Sequence, residues 1–281
     1  MDEIEYKQKG YLRESYRLFR LSGGLMQEVG YHYHEFHKLV FFQSGQVSYL
    51  IEGKLCDLQP GDIVIVPMGC VHRVESAPDA TYERVILYLS PEWLRQHSTP
   101  DGDLETCFHQ ADTLARHVLR PTEEQPSALW QGMRRLEESL KQKEFGAKIL
   151  SDSFLCQLMV YLGREALRKD DNLISGRIVD SKTVEILRYI NENITSDLSI
   201  DELADKYYIS KYHMMRLFRT ETGFTIHGYI TEKRLLMARE LIASGKSASE
   251  ACYACGYKDY SAFSRAYKKN FETSPRGGRQ F

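Results

Sequence analysis

The hydrophobic period changes once along this chain, and that change constrains the fold more than any other feature. From Leu18 to Leu89 the apolar residues come in short runs, QVSYLIEG, GDIVIVP and YERVILYL. These runs are rich in β-branched and aromatic side chains and are punctuated by Gly, Pro and Asp. The EGK at 52–54 predicts a hairpin tip and the PGD at 60–62 a tight turn. Many short strands at close spacing predict an antiparallel barrel or sandwich over residues 1–95. After SPEW at 90–93 the spacing becomes helical. Beyond Pro126, Leu129, Met133, Leu136 and Leu140 recur on one helix face. Past Phe145-Gly146 a second helix presents Phe154, Leu155, Leu158, Met159 and Leu162. Two such helices either close under the barrel or pair with a second subunit, so 96–170 reads as a helical connector and dimerisation region. Residues 171–181, polar and without sustained period, read as a linker, and 182–281 as an all-helical domain. The expected fold class is α+β.

The 281 residues leave room for two cores, and 42% apolar with 27% charged is an ordinary globular composition. No apolar run reaches the roughly 18 residues that span a bilayer, and the opening MDEIEYKQKGYLR has no signal-peptide core. A cytoplasmic location with no membrane partner is therefore expected. Cysteines 56, 70, 107, 156, 252 and 255 then read as free thiols. The net charge of −2 is unevenly spread: residues 1–180 carry 21 basic and 27 acidic side chains, residues 181–281 carry 16 and 12. An acidic front and a basic back point the back half at a polyanion.

That back half contains one kind of unit twice. In SIDELADKYYISKYHMMRLFRTETG (199–223), Ser199 and Glu202 predict a capping box, and Ser210 caps a second helix with Met214, Leu217 and Phe218 inside. Lys211, Tyr212, Met215, Arg216 and Arg219 are left on the open face. In SASEACYACGYKDYSAFSRAYKKNF (247–271) a short helix breaks at Gly256 and Asp259 caps its successor. That second helix buries Phe263, Ala266 and Tyr267 and leaves Tyr260, Ser261, Ser264, Arg265, Lys268 and Lys269 outside. The stretch 225–242 between them predicts one long helix with Tyr229, Leu236 and Leu241 buried. A short helix, a tight turn and a second helix with an exposed basic face is what the major groove of double-stranded DNA admits.

From about 183 to 279 these residues resemble the DNA-binding domain of AraC/XylS-type transcription regulators. The resemblance rests on LA at 203–204, Ser210 with RLF at 216–218, TG at 222–223, Tyr229, Arg234 and Ala238. It continues through GY at 256–257, Phe263, SRAYKK at 264–269, SP at 274–275 and Arg279. Glu272, Ala251 and Gly277-Gly278 depart from the pattern. The resemblance implies base-facing positions at Tyr212, Met215, Arg216, Tyr260, Ser261, Ser264 and Arg265. Lys211, Arg219, Lys268 and Lys269 then read as phosphate contacts, which position the protein without reading sequence. RNA polymerase is a partner that the resemblance implies. Cys252 and Cys255 form a CxxC that admits a redox or metal switch, although both fall where that family buries small or aliphatic side chains.

In YHYHEFHKLVFFQSG (31–45) the histidines at 32 and 34, with PGDxxxxPxGxxH ending at His72, resemble the two motifs of a cupin barrel. Metal-binding cupins of this kind add a carboxylate, and Lys38 stands in its place here. By strand parity Lys38 shares a face with His32 and His34, so the four residues His32, His34, Lys38 and His72 read as an effector site for an anionic or hydroxylated small molecule. Three neutral imidazoles from His32, His34 and His72 still suffice for a metal such as zinc, and merely packed histidines are the remaining alternative. The expected protein is thus a non-enzymatic, ligand-responsive, homodimeric DNA-binding regulator, an activator, with no cofactor. Its rivals are a metal-dependent cupin enzyme fused to a DNA-binding module and a constitutive regulator with a structural barrel.

Overall fold

The computed structural model describes residues 12, 14–23, 30–76, 81–121, 126–168, 172–178, 182–271 and 273–276. Glu272, Gly277, Gly278 and Arg279 lie outside them. The chain divides into two compact units, 1–178 and 179–281.

In the first unit, β1 (Tyr16–Leu21), β2 (His37–Ser44), β3 (Val47–Ile51), β4 (Lys54–Asp57), β5 (Ile63–Val66), β6 (His72–Ser76) and β7 (Glu83–Leu89) precede α1 (Pro91–His97) and α2 (Thr106–Leu114). Then follow β8 (Val118–Leu119), α3 (Pro126–Ser139), α4 (Ala147–Ala166), β9 (Leu173–Ile174) and β10 (Arg177–Ile178). The antiparallel strands form two facing sheets, ordered β1-β7-β2-β5-β8-β9 and β10-β4-β3-β6, a sandwich without pairing that closes it into a barrel among the described residues. Turn chemistry fixes the register. Glu52 and Gly53 both have positive φ, 45° and 82°, as a two-residue hairpin between β3 and β4 requires. At the second turn Asp62 N–H donates to Gln59 O at 3.0 Å, with Gly61 at φ 99° in the position where a side chain is disfavoured.

β2 is buried on both sides, and its alternation sorts two cores. Val40 and Phe42 meet Tyr49, Val64, Val66 and Ile86 between the sheets. Leu39 and Phe41 point the other way, joining Ile63, Ile65, Val85 and Leu87 against Leu129, Met133, Leu136, Leu155, Leu158, Met159 and Leu162 of α3 and α4. The helices read as a connector are therefore a layer of this unit's own core. Leu140 departs from the expected face: α3 ends at Ser139 and Leu140 is 41% exposed. The stretch read as a linker also differs, because Leu173–Ile174 pair with β8 and Arg177–Ile178 with β4. Their backbone groups are satisfied by strands far away in sequence, which local polarity does not reveal.

The second unit is built from α5 (Lys182–Glu192), α6 (Ile200–Lys206), α7 (Lys211–Thr222), α8 (Ile226–Ala243), α9 (Ala248–Ala254) and α10 (Tyr260–Phe271). Side-chain caps start most of them. Ser199 accepts from Glu202 N–H, Ser210 from His213 N–H, Thr225 from Gly228 N–H and Asp259 from Ala262 N–H. The complete reciprocal box forms at Ser247 and Glu250. Leu235, Ala238 and Ile242 of α8 pack on Ala251, Cys252, Cys255, Phe263 and Tyr267. Tyr229 is buried at the other end of α8, its ring 5.9 Å from Phe218 of α7, while Leu236 is buried and Leu241 half-buried.

Candidate nucleic-acid interface and buried histidine cluster

α7 and α10 carry an arginine and a buried stripe at the same helical phase. Arg216 lies six residues after the Ser210 cap and Arg265 six after the Asp259 cap. At that phase the inward stripe is Met214 and Phe218 in one helix, Phe263 and Tyr267 in the other, all buried. The opposite face is open. Lys211, Tyr212, Met215, Arg216 and Arg219 are exposed on α7, and Ser261, Arg265, Lys268 and Lys269 on α10. Tyr212 and Met215 are 76% and 46% exposed on that face. Lys211 forms an ion pair with Asp201, both ends in solvent, a contact weak enough to exchange for a phosphate. Ser264 is half-buried, and Tyr260 leans inward with its ring 5.9 Å from Phe263 and the Arg276 guanidinium 5.7 Å above it. Tyr260 is thus held at the edge of the core, whereas Lys211 at the matching position of α7 stands free of the core.

One side chain that ties the two helix pairs together has a role the sequence does not disclose. Arg234 of α8 donates to the carbonyls of Ile194 at 2.8 Å, Ser196 at 2.6 Å and Gly256 at 3.0 Å. It thereby ties the loop before α6 to the turn between α9 and α10. Cys252 and Cys255 are fully buried in the adjoining core, and the Cys255 thiol donates to Cys252 O at 3.3 Å. Burial pushes the Cys255 thiol up to about 11, which suits packing and not reactivity.

In the first unit the expected cluster assembles. His32 and His34 come from the irregular segment before β2, Lys38 from β2 and His72 from the start of β6, held together by a bridge between His32 and His72. All four are essentially buried. Ring centroids lie 4.2 Å apart for His32 and His72, 5.0 Å for His32 and His34, and 5.2 Å for His34 and His72. The Lys38 Nζ is 3.3 Å from His72 Nε2. Two Nδ1 atoms are already oriented by backbone carbonyls, His32 on Gly30 at 2.9 Å and His72 on Cys70 at 3.0 Å. Neither ring nitrogen of His34 has a hydrogen-bond partner, although its ring stacks on Phe36 at 4.7 Å. Burial first, then the Lys38 charge, hold His32 down at about 4 and His34 and His72 well below the ordinary range. At neutral pH the three imidazoles are therefore uncharged. They fit a metal by donor type and spacing, with one nitrogen from each within 4.8 Å of the others, but the Lys38 ammonium lies where it repels a cation. His37, on the other face of β2, is used structurally: its Nε2 meets Glu105 at 3.0 Å and its Nδ1 accepts from Met68 N–H.

Comparison with known proteins places both halves. The AraC-like ligand binding domain matches residues 16–159, and a helix-turn-helix domain matches 203–280. The HTH-type transcriptional activator RhaS of Escherichia fergusonii is 24% identical over 266 residues, covering 93% of this chain and 90% of its own. The protein of the same name from Yersinia pestis is 27% identical over 248 residues, covering 87% of each. Among solved structures, an AraC-type transcriptional regulator from Chromobacterium violaceum is 32% identical over 35% of this chain and 88% of its own, with a TM-score of 0.33. None of the described helices is long and apolar enough to cross a membrane. The chain belongs to the AraC family of transcription regulators, with an N-terminal ligand-binding domain and a C-terminal helix-turn-helix DNA-binding domain.

Proposed function

We propose that this chain is a dimeric, effector-responsive transcription activator whose 182–281 domain reads one DNA segment through α7 and α10. It acts on promoter DNA in the cytoplasm, where it recruits RNA polymerase. The observation that carries the reading is the matched phase of Arg216 and Arg265 on two capped, outward-facing helices. Each arginine is a bidentate donor suited to guanine O6 and N7, with Tyr212, Met215, Ser261 and Ser264 beside it. Tyr260 contributes less because it is half-buried. Lys211, Arg219, Lys268 and Lys269 lie on phosphates. Arg216→Ala and Arg265→Ala should each weaken the cognate site by about 1–3 kcal/mol and relax base preference at one position, while Lys268→Ala weakens every duplex about equally. A gel-shift series on cognate and random DNA measures both; arginine variants that bind like the parent protein would refute the assignment.

The effector site is the cluster of His32, His34, Lys38 and His72. The two unpartnered nitrogens of His34 support it, because a buried polar atom without a hydrogen bond costs about 1–3 kcal/mol that a ligand oxygen or hydroxyl recovers. With the imidazoles neutral, Lys38 supplies the charge, and the ligand is an anionic or hydroxylated small molecule. Lys38→Met should abolish effector-induced stabilisation in a thermal-shift screen of sugars and organic acids while leaving DNA affinity intact. Stabilisation by zinc alone, lost in His34→Ala, would favour the three-histidine metal reading instead.

Dimerisation uses the outer face of α4. Ile149, Val160 and Leu167 recur there at spacings of eleven and seven residues on one stripe, 72%, 37% and 60% exposed. Ile149→Glu with Val160→Glu should yield a monomer by sedimentation, with the fold retained.

A further inference from the structure

A second convergence of donor side chains lies in the N-terminal unit, and neither the histidine cluster nor the DNA-binding face uses it. The Cys70 Sγ is 3.7 Å from Asp112 Oδ1 and 3.9 Å from His117 Nε2, and all three donor atoms fall within 4.8 Å of one another. Cys70 and His117 are buried, while Asp112 opens to solvent. A Cys, His and carboxylate group suggests a nucleophilic triad, but the geometry argues against one. In a triad the carboxylate orients the far nitrogen of the imidazole. Here carboxylate and imidazole both converge on the sulfur, as ligands do around a shared ion. Tetrahedral zinc with a thiolate at about 2.3 Å and an imidazole at about 2.0 Å sets those donors roughly 3.5 Å apart.

The backbone prepares each ligand before any ion arrives. Cys70 closes the turn after β5, its N–H donating to Pro67 O at 3.2 Å. Asp112 stands in the last turn of α2. Ala115, at φ 47°, reverses the chain there, and Arg116 N–H donates back to Ala111 O at 2.9 Å. That reversal returns His117, whose carbonyl accepts from Ile65 N–H at 2.8 Å, to the side of Cys70. We propose that Cys70, Asp112 and His117 form a binding site for a divalent transition metal of the zinc class, with water as fourth ligand. On binding, Cys70 gives its thiol proton to solvent and the sulfur coordinates as thiolate. The ion would fasten the end of α2 to the turn whose Cys70 carbonyl orients His72, so its occupancy reaches the histidine cluster through one residue of backbone.

The test is a cobalt titration of the chelator-stripped full chain. The expected result is one equivalent of Co²⁺ showing a thiolate-to-cobalt charge-transfer band in the near ultraviolet, displaced by Zn²⁺. The band is expected to vanish in Cys70→Ser and to survive in His34→Ala and in the Cys252→Ser, Cys255→Ser double variant. Because Cys70 is buried, the exposed Asp112→Asn serves as the second variant, with Co²⁺ affinity expected to fall about tenfold. No band in the parent protein, a band that persists in Cys70→Ser, or an unchanged affinity in Asp112→Asn overturns the site. Cobalt taken up without a thiolate band and lost in His34→Ala also overturns it, and assigns the ion to the three histidines.

Discussion

Replacing Gly256 with alanine should destabilise the C-terminal unit by about 2–5 kcal/mol, the sum of two costs of different origin. Gly256 has φ +86°, where a Cβ costs about 1–2 kcal/mol. The added carbon would also lie 2.6 Å from Thr195 O and 2.9 Å from Thr195 C, backbone atoms that no rotamer change can move. Such overpacking adds about 1–3 kcal/mol. Gly245 supplies the control: it has φ +99° with nothing within 4 Å of a built Cβ, so its alanine variant pays the first cost alone. For a unit of this size each kcal/mol moves the melting temperature by about 4–8 °C, so calorimetry separates the two variants clearly. Equal melting temperatures would mean that the close approach of the α9–α10 turn to Thr195 does not exist. The first helix pair places Tyr208 at the corresponding position, nine residues after its cap, at φ 52° and 94% exposed. There the side chain stands in solvent, and it is tolerated.

The second large effect is acid destabilisation of the N-terminal unit. His32, His34 and His72 have folded-state pKa values below the unfolded value of about 6.5, His32 at about 4 and the other two well below the unfolded value, held down by burial first and then by the Lys38 charge. Below pH 6.5 the unfolded chain takes up protons that the folded chain refuses. Stability is therefore complete above that pH and falls as the pH drops toward 4. Each histidine contributes up to about 1.4 kcal/mol per pH unit in this window, so the three together reach ~4 kcal/mol per unit at the steepest. Lys38→Met removes the neighbouring positive charge and should flatten the slope. Denaturant unfolding followed by the fluorescence of the first unit's tryptophans, Trp93 and Trp130, from pH 7 to about pH 5 reads the change. A flat profile would show that the cluster is solvated.

Much of this architecture is legible in the sequence because it is local. Turn residues at 52–54 and 60–62, the caps at Ser210 and Asp259, and the stripes of α3, α4, α7 and α10 depend on neighbours within a few residues. The histidine cluster was legible through its motif; strand parity does not explain it, because His32 and His34 lie outside regular strand and are brought in by the bridge to His72. What was hidden is non-local. The pairing of Leu173–Ile174 depends on Val118 and Leu119, more than fifty residues away. Tyr260 turns inward because Phe263 and Arg276 flank it. Arg234 was visible as part of a motif, but only the fold shows the three carbonyls it holds. Cys70, Asp112 and His117 share no spacing that sequence inspection would single out.

The Arg234 clamp has a consequence for the shape of any operator. With Ile194, Ser196 and Gly256 fastened to one guanidinium on α8, the two helix pairs of the C-terminal unit behave as the jaws of a fixed calliper. On the proposed reading of one duplex by α7 and α10, the stretch between the two base patches is then a constant of the protein, and adding or removing one base pair there should rotate one patch out of reach. For the proposed dimer, only the interval between the sites of its two chains would be left free to vary.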